Sequence, residues 1–306
     1  MPSNVPPFRL PAPVDVRALL AEPIPERQWV IPGLFEHGDR CIITGGEGEG
    51  KSALCRQMAI QLALGIHPLT LESCEPQRVF LADGENSREQ IKAEIQKICL
   101  QADVMPPPAG MMTVGNWDAG LNLIDPKWEA ALQYELEESR PDILFIGPLY
   151  KLAEGTLSDE GVSRSVAAAL DRIRTSLGLV IVIEAHQINE QVAFDTKTKA
   201  FRRNREARPF GSSLWRRWPE FGRCLFHDGT LFAWRKDRQS RDWPDKLRRG
   251  DSWLWVADNR LCLVCDGPLT GQQERFCSEK CKNVKNQRDH RQRAQTTDSL
   301  PAEIGD

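Results

Sequence analysis

Two clusters of residues in this sequence have spacings that chemistry uses. The first is Gly45-Gly46-Glu47-Gly48-Glu49-Gly50-Lys51-Ser52, followed by Ala53, which fits G-x-x-x-x-G-K-[ST]. Glycines let successive backbone N–H groups turn inward as an anion nest, Lys51 reaches β- and γ-phosphate oxygens, and the Ser52 hydroxyl ligates Mg²⁺. The head of the following helix adds positive potential. Gly45 to Ala53 are therefore the expected contacts of a nucleoside triphosphate. A Gly-rich turn that merely contains Lys-Ser is the alternative, and context speaks against it: an apolar strand (Cys41 to Thr44) runs in and an amphipathic helix (Ala53 to Leu64) runs out. The second cluster is Cys262-x2-Cys265, eleven residues, then Cys277-x3-Cys281. This matches a closed four-thiolate Zn²⁺ site of structural type, with no open position for catalysis. The other five of nine cysteines are scattered among apolar neighbours and read as reduced core thiols.

The elements that position the first cluster follow from hydrophobic patterning. The chain has 306 residues, 41% hydrophobic and 27% charged, with net charge −3, and its mean hydropathy is −0.44. These values describe an ordinary soluble globular protein, and disorder and fibre are excluded for the bulk. The longest apolar stretches fall short of a bilayer span and the Pro-rich Met1 to Pro13 lacks a signal pattern, so a cytoplasmic location without membrane contact is expected. Strands are predicted at Arg40 to Thr44, Arg78 to Ala82, Met111 to Val114, Asp142 to Ile146 and Leu179 to Glu184. Helices are predicted at Lys51 to Leu64, Ser87 to Gln101, Pro126 to Ser139 and Glu160 to Leu177. Such alternation implies an α/β fold, a mostly parallel sheet with helices on both faces. Beyond it lie a polar loop, Asn189 to Pro209, and short strands near Arg223 to His227, Thr230 to Arg235 and Ser252 to Val256. The expected organisation is an N-terminal extension over 1–26, an α/β core over 27–258, and a small zinc-binding module with a basic polar tail over 259–306.

In an open α/β sheet, reacting groups belong at the carboxyl ends of the strands beside the phosphate loop. Ala82-Asp83-Gly84-Glu85-Asn86, Phe145-Ile146-Gly147-Pro148-Leu149-Tyr150 and Glu184-Ala185-His186-Gln187 occupy those ends. The succession of phosphate loop, "DGEN", "PDILFIGPLYKL", "VIVIEAHQINE" and "GSSLW" resembles the RecA-like ATPases of the DnaB and plasmid RepA replicative-helicase group, over roughly Trp29 to Arg241. The resemblance implies a RecA-like core and gives Glu85 the role of the carboxylate that polarises water, against a plain helix-capping role for Asp83 and Glu85. It gives Gln187 the role of γ-phosphate sensor. Lys236 and Arg238, which alternate on one strand face, resemble the element that reaches a neighbouring subunit's γ-phosphate, with Arg223 in reserve. One departure is visible: where the family carries an Asp supporting Mg²⁺, this chain has Gly147, and Asp83 or Glu85 acting through water is the expected substitute.

Charge is distributed unevenly, with 14 Lys and Arg against 6 Asp and Glu between Phe201 and Arg249. Loops after the fourth and fifth strands hold single-stranded DNA in the resembling family. Here they are Lys151 to Gly161 and the basic stretch with Lys197, Lys199, Arg202, Arg203 and Arg205, which suits phosphate tracking without base reading. A solvated loop is the plain alternative. The resemblance thus implies ATP and Mg²⁺ as cofactors, and the cysteine spacing adds Zn²⁺. It implies a homo-oligomer, a hexamer, with replication proteins and single-stranded DNA as partners. The expected function is an ATP-dependent DNA motor of hexameric replicative-helicase type. A recombination or repair mediator ATPase and a slow KaiC-like regulatory ATPase are the alternatives.

Overall fold

A computed structural model describes residues 12–23, 26–188, 191–195, 200–204, 207–235, 241–258, 264, 276 and 278–287. In chain order the elements are α1 (Val16–Ala21), β1 (Trp29–Ile31), β2 (Phe35–Glu36), β3 (Arg40–Gly45), α2 (Lys51–Ala63), β4 (Val79–Asp83), α3 (Arg88–Ala102), β5 (Met112–Asn116), α4 (Pro126–Ser139), β6 (Ile143–Gly147), α5 (Glu160–Leu177), β7 (Val180–His186), β8 (Gln191–Asp195), β9 (Ala200–Asn204), α6 (Leu214–Arg217), β10 (Phe221–Leu225), β11 (Leu231–Arg235), β12 (Leu247–Arg249) and β13 (Trp255–Ala257). A 3₁₀ turn, Leu149–Lys151, follows β6.

Seven strands form the central sheet in the order β11-β10-β3-β7-β6-β4-β5, all parallel except β11, which runs antiparallel to β10 at one edge. Side chains alternate along each buried strand, so every strand feeds two cores. Cys41 and Ile43 of β3, Val79 and Leu81 of β4, and Val180 and Val182 of β7 join Leu54, Met58 and Leu62 of α2 and Ile91 of α3. Ile42, Phe80, Leu144 and Ile181 point the other way, onto Leu132 and Leu136 of α4, Val166 and Leu170 of α5, and Trp215 of α6. Helix starts follow local chemistry. Ser87 and Gln90 form a capping box on α3, Asp125 and then Pro126 open α4, and Asp159 caps α5 by accepting the Val162 N–H.

Several expectations move. Helices α4 and α5 have the boundaries read from the sequence, and the five strands from β3 to β7 lie within two residues of theirs. The strand expected at Arg223 to His227 begins earlier, at Phe221, because β10 takes its register from β3, Phe221 opposite Cys41 and Leu225 opposite Gly45. The polar loop from Asn189 holds a two-stranded hairpin, with Gln191 opposite Asn204 and Asp195 opposite Ala200. Five-residue strands leave too little alternation for periodicity to register. The strand expected at Ser252 to Val256 is Trp255–Ala257, paired with a strand, Leu247–Arg249, that sequence reading did not anticipate. The N-terminal extension holds the short helix α1, none of whose residues is buried, and most of Met1 to Pro13 lies outside the described residues.

The β12–β13 segment braces the head of α2. Trp255 is 2% exposed; its N–H donates to Gln57 Oε1 at 2.9 Å, Gln57 Nε2 donates back to the Trp255 carbonyl at 2.6 Å, and the indole N–H reaches the Gly50 carbonyl at 3.3 Å. Arg249 lies flat over the indole, 3.8 Å from the ring centroid. Replacing Trp255 with Ala removes a buried indole and a reciprocal hydrogen-bonded brace. The expected loss is about 3–5 kcal/mol of unfolding free energy, read as a lower denaturant midpoint at unchanged slope.

Candidate nucleotide site

Strand β3 delivers the chain to Gly45, and the phosphate loop ends at Gly50, the N-cap of α2. Gly50 has φ +94°, and a Cβ there would lie 3.1 Å from the Trp255 ring, so this position requires glycine twice over. Lys51 and Ser52 are the first residues of α2, where helix N–H groups lack intrahelical partners. Within the loop, Glu49 folds back and accepts the Gly46 N–H at 2.7 Å, so its carboxylate holds the loop in shape.

Carboxylates gather around this loop from two strands, β7 and β4. Glu184 on β7 accepts a 2.6 Å hydrogen bond from the Ser52 hydroxyl and lies 3.5 Å from Lys51 Nζ. Lys51 itself is 6% exposed, so the ammonium and the carboxylate meet largely away from water. Asp83, at the end of β4, pairs with buried Arg56 of α2 at 2.8 Å and accepts the N–H groups of Glu85 and Asn86. Burial alone would push the Asp83 carboxyl up. The Asn86 N–H, the Arg56 guanidinium and the Glu85 N–H outweigh it and hold the group below the ordinary aspartate range. Asp83 is therefore engaged by the turn and by Arg56, and it also lines a small cavity with Ser52 and Glu184. Asp142 sits at the opposite end of the sheet, where it accepts the Arg78 N–H.

The turn built by Asp83 presents Glu85, which is exposed and accepts the Tyr150 hydroxyl at 2.9 Å. Burial, followed by the Glu85 hydrogen bond and the charges of Glu85 and Glu184, pushes the Tyr150 phenol up to about 12. Tyr150 in turn faces His186, with ring centroids 5.6 Å apart. Burial first, then the Lys51 charge, lowers the His186 pKa, so its imidazole is neutral at pH 7. Gln187 donates its N–H to the Gly45 carbonyl at 3.2 Å, and its side-chain oxygen accepts from the Cys224 thiol at 3.3 Å. Glu47, Tyr150, His186 and Gln187 line one cavity of about 490 Å³ against the phosphate loop.

The sequence-derived residues Lys51, Ser52, Glu85 and Gln187 thus converge at one end of the sheet. Others do not join them. Arg223 lies in the middle of β10, is 6% exposed, and stacks over Phe221 and Trp243, which removes it as a surface finger toward another subunit. Lys236 and Arg238 directly follow β11 and lie outside the described residues, as do Lys197, Lys199 and Arg205. Arg202 and Arg203 belong to β9, opposite Ala193 and Val192. Lys151 sits in a turn whose carbonyl accepts the Leu121 N–H, with Leu152 and Leu157 buried, while Glu154 to Thr156 and Ser158 to Gly161 are exposed. Of the four clustered cysteines, Cys262, Cys265 and Cys277 are outside the described residues. Cys281 lies in a helix over 279–287 that Ser278 caps, and among the described residues no group of three metal-ligating side chains occurs.

A family model described as an AAA domain matches residues 4–192, which include the whole phosphate loop and strands β3 to β7. The chain belongs to this family. It is a P-loop ATPase with a RecA-like α/β core, its strand order placing β7 between the phosphate-loop strand and β6. Among solved structures, a KaiC-like protein from the hyperthermophilic archaeon Pyrococcus horikoshii OT3 is similar at 14% identity, over 76% of this chain and 99% of that one, with a TM-score of 0.49. No curated protein shows significant similarity to the chain. Among the described residues, no helix is long and apolar enough to cross a membrane.

As an AAA-domain protein the chain needs hard oxygen donors for Mg²⁺ beside the loop, and the Ser52 hydroxyl and Glu184 carboxylate supply that chemistry. When bound, Mg²⁺ neutralises charge on β- and γ-phosphate oxygens. Sequence reasoning missed Glu184, Arg56 and the Tyr150–Glu85 contact. Only Glu184 left a signal, a lone acid closing an otherwise apolar strand next to the phosphate-loop strand.

The Arg56–Asp83 pair yields a pH-dependent expectation. Asp83→Asn leaves a buried guanidinium without its charge partner, and breaking such a pair costs about 3–5 kcal/mol at pH 7. Because the folded-state pKa of Asp83 is lowered, its contribution is present above the ordinary aspartate value of about 3.9 and is lost as pH falls through the folded value. Urea unfolding from pH 7 down to pH 3 should show the gap between wild type and Asp83→Asn narrowing on the acid side.

Proposed function

We propose that the protein is an ATP-driven motor on single-stranded DNA, of replicative-helicase type, working as a homo-oligomeric ring such as a hexamer. In this reading Gly45 to Ala53 cradle the triphosphate. Glu85 orients and deprotonates the attacking water, held against Tyr150 until substrate arrives. Gln187 responds to the γ-phosphate, and Lys236 with Arg238 reach the site of the next subunit. The zinc module at Cys262, Cys265, Cys277 and Cys281 holds the basic C-terminal helix against DNA or a replication partner.

One observation carries the DNA part of this reading: β7 leads from Glu184 and His186 at the phosphate loop into the β8–β9 hairpin, with only Gln187 to Glu190 between the strands. A shift at Gln187, which is tied by its N–H to Gly45, is thereby passed to a hairpin whose second strand holds Arg202 and Arg203. The regulatory alternative drew its support from Gly147, and a carboxylate at Glu184 on the Ser52 hydroxyl weakens that ground.

The test is ATP turnover with and without single-stranded DNA. DNA should stimulate hydrolysis severalfold, and Lys51→Ala should abolish both basal and stimulated rates. Glu85→Gln should keep nucleotide binding while turnover falls at least a hundredfold. Arg202→Ala with Arg203→Ala should leave basal turnover intact, weaken DNA binding and lower the slope of log affinity against log salt by about 1.4, at about 0.7 per phosphate contact. ATP turnover indifferent to DNA overturns the motor.

A further inference from the structure

The carboxylate that serves the Ser52 hydroxyl comes from an unexpected strand. The family resemblance places an acid after β6, and this chain has glycine there, while an acid appears on the neighbouring strand β7. We infer that the acidic group that supports Ser52 and its magnesium has moved from the end of β6, where glycine stands at 147, to Glu184 on β7. This rests on the ATPase reading, since it concerns how the same site holds its metal.

Three observations carry the exchange. The first is occupancy of space. A Cβ on Gly147 would lie 2.8 Å from the Glu184 Cβ and 3.0 Å from its backbone carbonyl. The atoms it meets belong to the backbone and the root of a side chain, which cannot swing aside, so β6 carries no side chain at 147 against β7. Two carboxylates there would also repel across a site with little solvent. The second is the direction of Glu184: its Oε1 accepts from Ser52 at 2.6 Å and faces Lys51 Nζ at 3.5 Å. The third is elimination among the described residues. Asp83 is held by Arg56 and its own turn, Glu85 stands exposed on the turn where the attacking water is expected, and Asp142 lies at the far end of the sheet. A cavity of about 20 Å³ remains among Ser52, Arg56, Asp83, Gly147 and Glu184, enough for one water beside the displaced acid.

The register explains why the exchange works geometrically. Strand β7 lies directly against the phosphate-loop strand, Glu184 opposite Ile43, whereas β6 is one strand farther away. An acid on β7 thus reaches the Ser52 hydroxyl and Lys51 from the strand adjacent to the phosphate-loop strand.

The test uses the full chain and a fluorescent ATP analogue, titrated with Mg²⁺ and with EDTA, so that binding is read independently of turnover. In wild type, Mg²⁺ should tighten binding. Glu184→Gln should lose about tenfold or more of that metal-dependent gain, the range seen when groups supporting a metal site are removed, while metal-free affinity stays equal or rises. Gly147→Asp alone should lower the melting temperature. Glu184→Gln with a wild-type Mg²⁺ response overturns the exchange. Wild type that fails to bind the analogue at all overturns the ATPase reading itself, a different result.

Discussion

A lysine ammonium at the head of a helix is a doubtful place to store charge. Lys51 is almost fully buried, and the free N–H groups of α2 make its surroundings positive before any ligand arrives. Without a nearby anion the loop would repel its own key residue. Glu184 supplies that anion and at the same time takes the Ser52 hydroxyl, so one carboxylate fixes the two side chains that a triphosphate and its metal must find. Burial and the neighbouring Lys51 charge lower the pKa of His186 beside it, against the opposing charge of Glu184.

Around this centre the charges are sorted by strand. Strand β4 ends in Asp83, which neutralises Arg56 and shapes the turn, and only then exposes Glu85 as the acid free to meet a water. The separation has a physical logic. An acid saturated by a guanidinium and backbone N–H groups is a poor base, while one at the surface of the turn, touched only by a phenol, is available. Sequence alone sees "DGEN" and cannot tell which of the two acids does which work.

The core strands and helices were legible because each has a strong period: α5 with its apolar stripe and Asp159 cap, β6 and β7 as unbroken apolar runs. The phosphate loop was legible because its glycines and Lys-Ser have few other uses. What escaped has long-range causes. The register of β10 is set by β3, some 180 residues earlier in the chain, and the brace at Trp255 depends on Gln57, which no local pattern announces. Gly147 read as a loss because its compensation stands on another strand, and only the sheet order makes them neighbours.

That brace also dictates when the nucleotide cradle can be finished. Strand β3 has β7 and β10 as its neighbours, and the Trp255 indole closes over Gly50 from a point 205 residues downstream. A nascent chain emerging from the ribosome can lay down α2 to α5 and most of the parallel sheet, yet the loop's outer wall arrives only with β12 and β13. Competence to hold ATP thus comes only after the parallel strands are made, and contacts of such long sequence separation place its assembly at the slow end of folding.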